Sequence, residues 1–373
     1  MNNRKKIGTL TFHIAHNYGA MLQAHALQQA ITQLGAACEI IDYRFPYIDQ
    51  WSGIRTFREL CQESGWVWGT LRFLKRWCKR YYRHQSPMRR KFNDFMRRMR
   101  LSRKIYFNKE QLLQADYDCI VTGSDQIWNP DLTNGPAREY FGQCFNLTRC
   151  KLISYAASNG KNTLPAEYAS QMQQWLQSYS ALGIREKGLA ESLNTCFHLP
   201  ATAVLDPVFL MPPAEWSRLS KRASLHISEP YLLLYAFQVG DEIYQMARNI
   251  AQERKLRLVT IQYKRDDALD DMLQLTDCGP EDFVSLIQHA DFICTSSFHG
   301  NAFAIIFEKD FYCIGHPLYS QRNRDMLELL GLSHRFVSNG SDTNHSIPID
   351  YSACRKILQA EIERSRTFLE ESL

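Results

Sequence analysis

Short apolar runs along the chain alternate with stretches whose apolar residues recur every three or four positions. The runs "KIGTLTF" (6–12), "CEIIDYR" (38–44), "YDCIVTGSDQIWNP" (117–130, a strand then a loop) and "KLISYAASNG" (151–160) read as strands. The stretch "GAMLQAHALQQAITQLG" (19–35) has helical spacing and stops at Gly35, and "AEYASQMQQWLQSYS" is also helical. "ALGIREKGLAESL" (181–193) is a short strand turning into a helix, and "ATAVLDPVFLMPPAEW" (201–216) ends in paired prolines that suit a domain boundary. The pattern then restarts, with strands over 230–237, 257–263, 291–296 and 310–315 and helices over 241–254, 280–289 and 299–307. A Glu- and Arg-rich helical run over about 350–371 closes the chain. The expectation is an α/β protein of two Rossmann-like domains, 1–212 and 213–373, with parallel sheets facing a cleft. The first carries a helical insertion over about 52–104, and the second the long terminal helix.

Composition places the chain among globular proteins: 373 residues, 45% hydrophobic and 22% charged. No apolar stretch reaches the roughly 18 residues of a membrane span, and the basic start "MNNRKKIGTLTFHIAHNYG" reads as a first strand rather than a signal peptide. Eleven cysteines without C-x-x-C spacing are expected as reduced thiols of a cytoplasmic protein. Charge is uneven. Residues 72–104 hold fourteen Lys and Arg against one Asp, interleaved with aromatics. That block is either a solvated helical pair packing its aromatics inward or a surface for an anionic membrane or lipid-diphosphate acceptor. The second reading would put the protein at the inner face of the plasma membrane. No motif supports nucleic acid, and no H-e-x-x-H or zinc-type spacing suggests a metal.

Four polar loops follow predicted strands and should share one edge of the sheets, where ligands bind in such folds. The first ends in Asn17, Tyr18 and Gly19 and leads into a helix, so it is either a ligand-contacting turn or a plain tight one. The second gathers Ser124, Asp125, Gln126, Trp128 and Asn129. Asp125 can take a proton from a sugar hydroxyl and Trp128 can stack on a sugar face, or Asp125 only forms an Asx turn. In the third, Arg185 can grip a carboxylate or phosphate in two-point fashion, or form a surface ion pair with Glu186. In the fourth, "TSSFHGN" (295–301), Ser296 or Ser297 can cap a helix beginning near His299 and Gly300. The helix end attracts anions and the imidazole supplies a proton donor; otherwise His299 packs against Phe298 and Phe303. Arg322 and Arg324 precede another helix and can reach the same cleft.

Six segments in order, "NYGAMLQAHALQ" (17–28), "VTGSDQIWN" (121–129), "SYAASNG" (154–160), "GIREKGLAE" (183–191), "VLDPVFL" (204–210) and "TSSFHGNAFAIIF" (295–307), make the chain resemble the polysaccharide pyruvyl transferase family. The resemblance implies a GT-B-like fold, with the acceptor on the first domain and the donor on the second. It implies transfer of pyruvate from phosphoenolpyruvate, as co-substrate and without a further cofactor, onto two hydroxyls of a sugar. The products are a ketal and phosphate, and the acceptor is a cell-surface glycan or its polyprenyl-diphosphate-linked precursor. His299 and Asp125 are then the candidate acid and base. Arg185, Ser297, His299, Gly300, Arg322 and Arg324 would hold the donor, and Asn17, Tyr18, Gly19, Ser124, Gln126, Trp128 and Asn129 the acceptor. Relatives often show Arg-x-His where this chain has Ser297-Phe298-His299, so Arg322 or Arg324 replaces the missing cation or the donor differs. The alternatives on the same architecture are a nucleotide-sugar glycosyltransferase and a non-catalytic glycan-binding member of a synthesis complex.

Overall fold

The computed structural model describes residues 4–45, 65–72, 74, 86–236, 239–315, 320–338 and 348–373. Two six-stranded parallel sheets account for the twelve described strands. The first has the order β2-β1-β3-β4-β5-β6, from Lys6–Leu10 (β1), Ala37–Ile40 (β2), Cys119–Thr122 (β3), Lys151–Ala157 (β4), Ala181–Ile184 (β5) and Ala201–Ala203 (β6). The second has the order β12-β11-β10-β7-β8-β9. Its strands are Tyr231–Tyr235 (β7), Arg257–Ile261 (β8), Leu273–Leu275 (β9), Phe292–Thr295 (β10), Phe311–Ile314 (β11) and Phe336–Val337 (β12). Central strands are buried on both faces, as parallel strands covered by helices must be, and this is why they read as continuous apolar runs.

The helices that matter here are Tyr18–Gln33 (α1), Pro87–Arg98 (α2), Lys187–Cys196 (α3), Pro213–Ser220 (α4), Asp241–Arg254 (α5), Pro280–His289 (α6), Phe298–Ile306 (α7), Gln321–Leu329 (α8) and Tyr351–Ser372 (α9). Strands β6, β9 and β12 were not anticipated. Each has two or three residues and lies at or beside a sheet edge, too short to show a period.

One apolar core joins the two sheet systems. Tyr18, Met21 and Leu22 of α1 pack with Trp216 of α4, Phe283 of α6 and Phe303 of α7. Tyr18 lies flat on Phe283, with ring centroids 4.7 Å apart, and its hydroxyl donates to the Cys278 carbonyl at 3.2 Å. Helix α2 buries Phe92 and Phe95 in the same core, so here the aromatics of the basic block face inward. Its Lys91 and Arg98 reach Asp282 and Glu281 of α6 at 2.9 and 2.8 Å. Residues 73 and 75–85 of that block, and 52–64 of the expected insertion, lie outside the described residues.

The terminal helix α9 does not stay with the second sheet, where sequence placed it. It starts there, with Arg355 on Glu308 at 2.7 Å, and ends on the first sheet, with Phe368 against Gly183 and Leu369 in the core of β1, β3 and β4. Along the way Ser365 accepts from the Leu205 amide at 3.0 Å, and Arg366 donates to the Leu210 carbonyl at 2.6 Å. The apolar residues of its last turns find an uncovered strip of the first sheet, and burying them there is worth more than exposing them.

Candidate functional site

The carboxyl ends of β1, β3, β5 and β10 bring their four loops together across the two sheet systems. The tightest meeting is between the first and the fourth. A methyl group on Gly19 would lie 1.9 Å from His299 Nδ1, so only glycine lets that ring approach α1. Neighbouring Asn17 caps α1, accepting from the Ala20 amide at 3.1 Å. Tyr18 is fully buried between the halves. Gly19 thus makes room for His299, while Asn17 and Tyr18 hold the loop and the interface.

His299 stands in the first turn of α7. Ser297 is the N-cap, its hydroxyl accepting from the Gly300 amide at 3.3 Å. The Ser297 hydroxyl and the Gly300 amide are therefore engaged with each other, as the expected cap requires. His299 Nε2 points to Asp206 Oδ2 at 3.5 Å and makes no hydrogen bond.

Asp206 follows β6 and organises the cluster. Oδ1 accepts from the Val208 amide at 3.1 Å, while Oδ2 faces Arg185 Nη1 at 2.9 Å, the Ser124 hydroxyl at 3.3 Å and His299. Burial alone would push its carboxyl up, but His299, Arg185 and the Val208 amide outweigh it and hold it well below the usual carboxylate range. Sequence reading gave Asp206 no role; the signal was one acid in the apolar run "VLDPVFL" after a strand.

Arg185 is enclosed rather than on the surface. Besides Asp206, it has Asp125 at 3.8 Å and Glu186 at 3.9 Å, and its side chain is 3% exposed. Those three carboxylates raise its pKa against the cost of burial. Even so, Nε and Nη2 have no hydrogen-bond acceptor. Arg322 of α8 brings a second guanidinium, and the two lie 5.3 and 5.7 Å from the Phe298 ring. No carboxylate lies within 4.0 Å of Arg322 among the described residues. Its Nε is buried without an acceptor. Burial first, and then the charge of Arg185, pull its pKa down to about 10. Arg324 is not part of this group. Two positions along the helix it faces elsewhere, stacking on Phe336 at 3.7 Å.

The second loop divides. Asp125, half-buried at φ 81°, accepts from the Gln126 amide at 2.8 Å and faces Arg185. Ser124 is buried against Asp206. Gln126 accepts from Asn129 at 2.7 Å, and Asn129 caps a short helix through the Asp131 amide. Trp128 cannot stack on a sugar. It is fully buried, its ring stacked on Phe141 at 5.2 Å and its Nε1 donating to the Tyr140 carbonyl at 3.0 Å. The apolar environment that claims it comes from residues 140–179, invisible to a local reading. The loop after β4 adds what sequence missed: Ser158, fully buried, donates to Glu186 Oε1. Glu186 itself is 2% exposed.

Comparison with known proteins now bears on this geometry. The family model for polysaccharide pyruvyl transferase matches residues 17–317, the span that carries every residue of the cluster except Arg322. The chain belongs to the polysaccharide pyruvyl transferase family. Among solved structures it is similar to the UDP-GlcNAc 2-epimerase from Methanocaldococcus jannaschii, at 11% identity and TM-score 0.51 over 95% of this chain and 92% of that one. It is similar also to S. aureus MnaA in its UDP co-structure, at 12% identity and TM-score 0.50 over 98% and 91%. A third is the Neisseria meningitidis UDP-GlcNAc 2-epimerase bound to UDP-GlcNAc, at 10% identity and TM-score 0.50 over 98% and 94%. At such identities the likeness is one of fold, the two-sheet GT-B-like arrangement. No curated protein matches the chain in sequence. The family makes this member a transferase of polysaccharide biosynthesis.

Proposed function

We propose that the protein transfers pyruvate from phosphoenolpyruvate to two hydroxyls of a glycan, forming a ketal and releasing phosphate. The supporting observation is the set of buried nitrogens on Arg185, Arg322 and His299 that lack a hydrogen-bond partner, gathered at the start of α7. Guanidinium donors lacking acceptors, beside a helix N-terminus, suit a small ligand carrying both a carboxylate and a phosphate. Arg322 is the cation that Ser297 leaves out of the Arg-x-His pattern.

The chemistry follows from the donor. A proton is added to its methylene carbon, a first sugar hydroxyl forms a bond to the central carbon, and that hydroxyl's proton passes to a base. The bond from the central carbon to the phosphate oxygen then breaks. The second hydroxyl closes the ketal, and its proton leaves with phosphate. His299 serves as the acid and Asp125 as the base; such positioned groups are each worth about 10²–10⁴ in rate. The decisive assay is phosphate release from phosphoenolpyruvate across a panel of glycan acceptors, read by mass spectrometry for pyruvate addition. Acceptor-dependent release with pyruvate addition is expected. Turnover of nucleotide sugars instead would make the protein a glycosyltransferase.

The acceptor is proposed to be lipid-linked and met at an anionic membrane. No described helix is long and apolar enough to cross one. Residues 65–72 are helical, and Trp66, Val67, Trp68 and Leu71 there are 75%, 72%, 67% and 52% exposed, immediately before the basic block. Apolar and aromatic side chains beside Lys and Arg suit the boundary between headgroups and acyl chains.

A further inference from the structure

Glu186 is a buried member of the cluster to which the reaction above gives no task. It lies at the start of α3, held by Ser158 through Oε1, while Oε2 is buried without a hydrogen-bond partner. Arg185 and Arg322 face it from β5 and α8, Asp125 and Asp206 lie in the same field from the loops after β3 and β6, and His299 enters from α7. With Glu186 ionised and His299 neutral, these groups hold three carboxylates against two guanidiniums. Both guanidiniums are then already compensated before any ligand arrives. A multiply charged anion can use them fully only if a carboxylate gives up its charge. Asp206 accepts from Val208, Arg185 and Ser124, and Asp125 is partly open to water. Only Glu186 is both enclosed and bare on one oxygen, the situation in which an ionised carboxyl is costliest.

We infer that Glu186 takes up a proton from solvent when the anionic donor binds, so that Arg185 exchanges Glu186 for the donor, the charge of Arg322 is no longer offset by Glu186, and the neutral carboxyl presents an O–H to the site. No bond to carbon is made or broken in this step. Burial already pushes the Glu186 carboxyl up despite both guanidiniums, which agrees with this geometry. His299 is the rival proton acceptor, and it faces Asp206 rather than the guanidiniums. The consequence is linkage: affinity for the anion falls as pH rises, by about tenfold per pH unit where a full proton is taken up.

This inference rests on the reading of the site as a donor-anion site, and two probes separate them. Calorimetric titration of the full chain with phosphoenolpyruvate and with inorganic phosphate, in buffers of different ionisation enthalpy, counts protons taken up. The wild type should take up more than Glu186→Gln by about one proton, and Glu186→Gln should lose most of the pH dependence of Kd, whereas His299→Gln should keep it. Equal proton counts in the wild type and Glu186→Gln, or loss of the count in His299→Gln alone, would overturn the inference. If phosphate binds with this linkage while phosphoenolpyruvate does not bind, the donor assignment fails and the role of Glu186 stands. If neither probe binds, both fail. Should Glu186→Gln not fold, infrared difference spectra of the wild type decide: a protonated-carboxyl C=O band must appear on anion addition, and its absence sinks the proposal.

Discussion

Gly19 and His299 are 280 positions apart in the chain and in contact in the fold. Each was legible as a strand-end residue with chemistry, but their contact was not, because it depends on how one sheet system meets the other. It makes Gly19→Ala a sharp test. The added methyl must displace the imidazole from its place beside Asp206, and a misplacement of about 1 Å can cost on the order of 10²-fold in rate. Steady-state kinetics should show that loss in kcat/KM, with thermal unfolding shifted only by the cost of local overpacking, about 1–3 kcal/mol. Asp206 and Glu186 were missed for the converse reason. A single acid in an apolar run, or one beside an arginine, looks like a cap or a surface pair until the burial of its neighbours is known. Trp128 erred the other way: an aromatic in a polar loop suggested a sugar platform, but Phe141 and Tyr140 had already enclosed it.

At the level of elements, most strands and the helices that carry Gly19 and His299 were readable from apolar periodicity, since parallel strands and their covering helices have strong signals, while Arg322 and Arg324, expected before a helix, lie inside α8. What periodicity cannot say is which faces meet. Helix α1 is the instructive case. It is buried almost all round, Gln23 and Gln28 included, because it lies between the two sheet systems, and it carries His25 into that interface, edge-on to Phe95 at 5.5 Å and Trp216 at 6.3 Å. Burial, with Arg222 adding to it, pulls the His25 imidazole down to about 4. The unfolded chain, with an ordinary value of about 6.5, therefore binds the proton first. This contribution to stability is fully present above pH 6.5 and is lost as pH falls towards 4. Urea unfolding at pH 7 and pH 4.5 should show a loss that approaches, without exceeding, about 1.4 kcal/mol per pH unit across that window. In His25→Gln the same acidification should cost less; an unchanged slope would place the sensitivity elsewhere.

For the whole molecule, the sequence's two-fold repetition of the α/β pattern predicted two sheets, and two are present. It could not show that α2 ties its basic side chains to Glu281 and Asp282, which removes Lys91 and Arg98 from the charge available to a membrane. The proposed membrane contact must then draw on the exposed Trp66, Val67, Trp68 and Leu71. Co-sedimentation with vesicles of anionic lipid should fall at least several-fold in Trp66→Ala/Trp68→Ala, and binding should weaken with salt; unchanged sedimentation would dismiss the membrane. Helix α9 has a wider consequence. The chain passes between the two sheet systems once near residues 205–210 and again within α9, and the two passages are bonded to each other by Ser365 and Arg366. Two crossings bonded to each other, with the shared core around Tyr18, fix how one half sits on the other, and so a contact as close as that of Gly19 with His299 depends on residues at the far end of the chain.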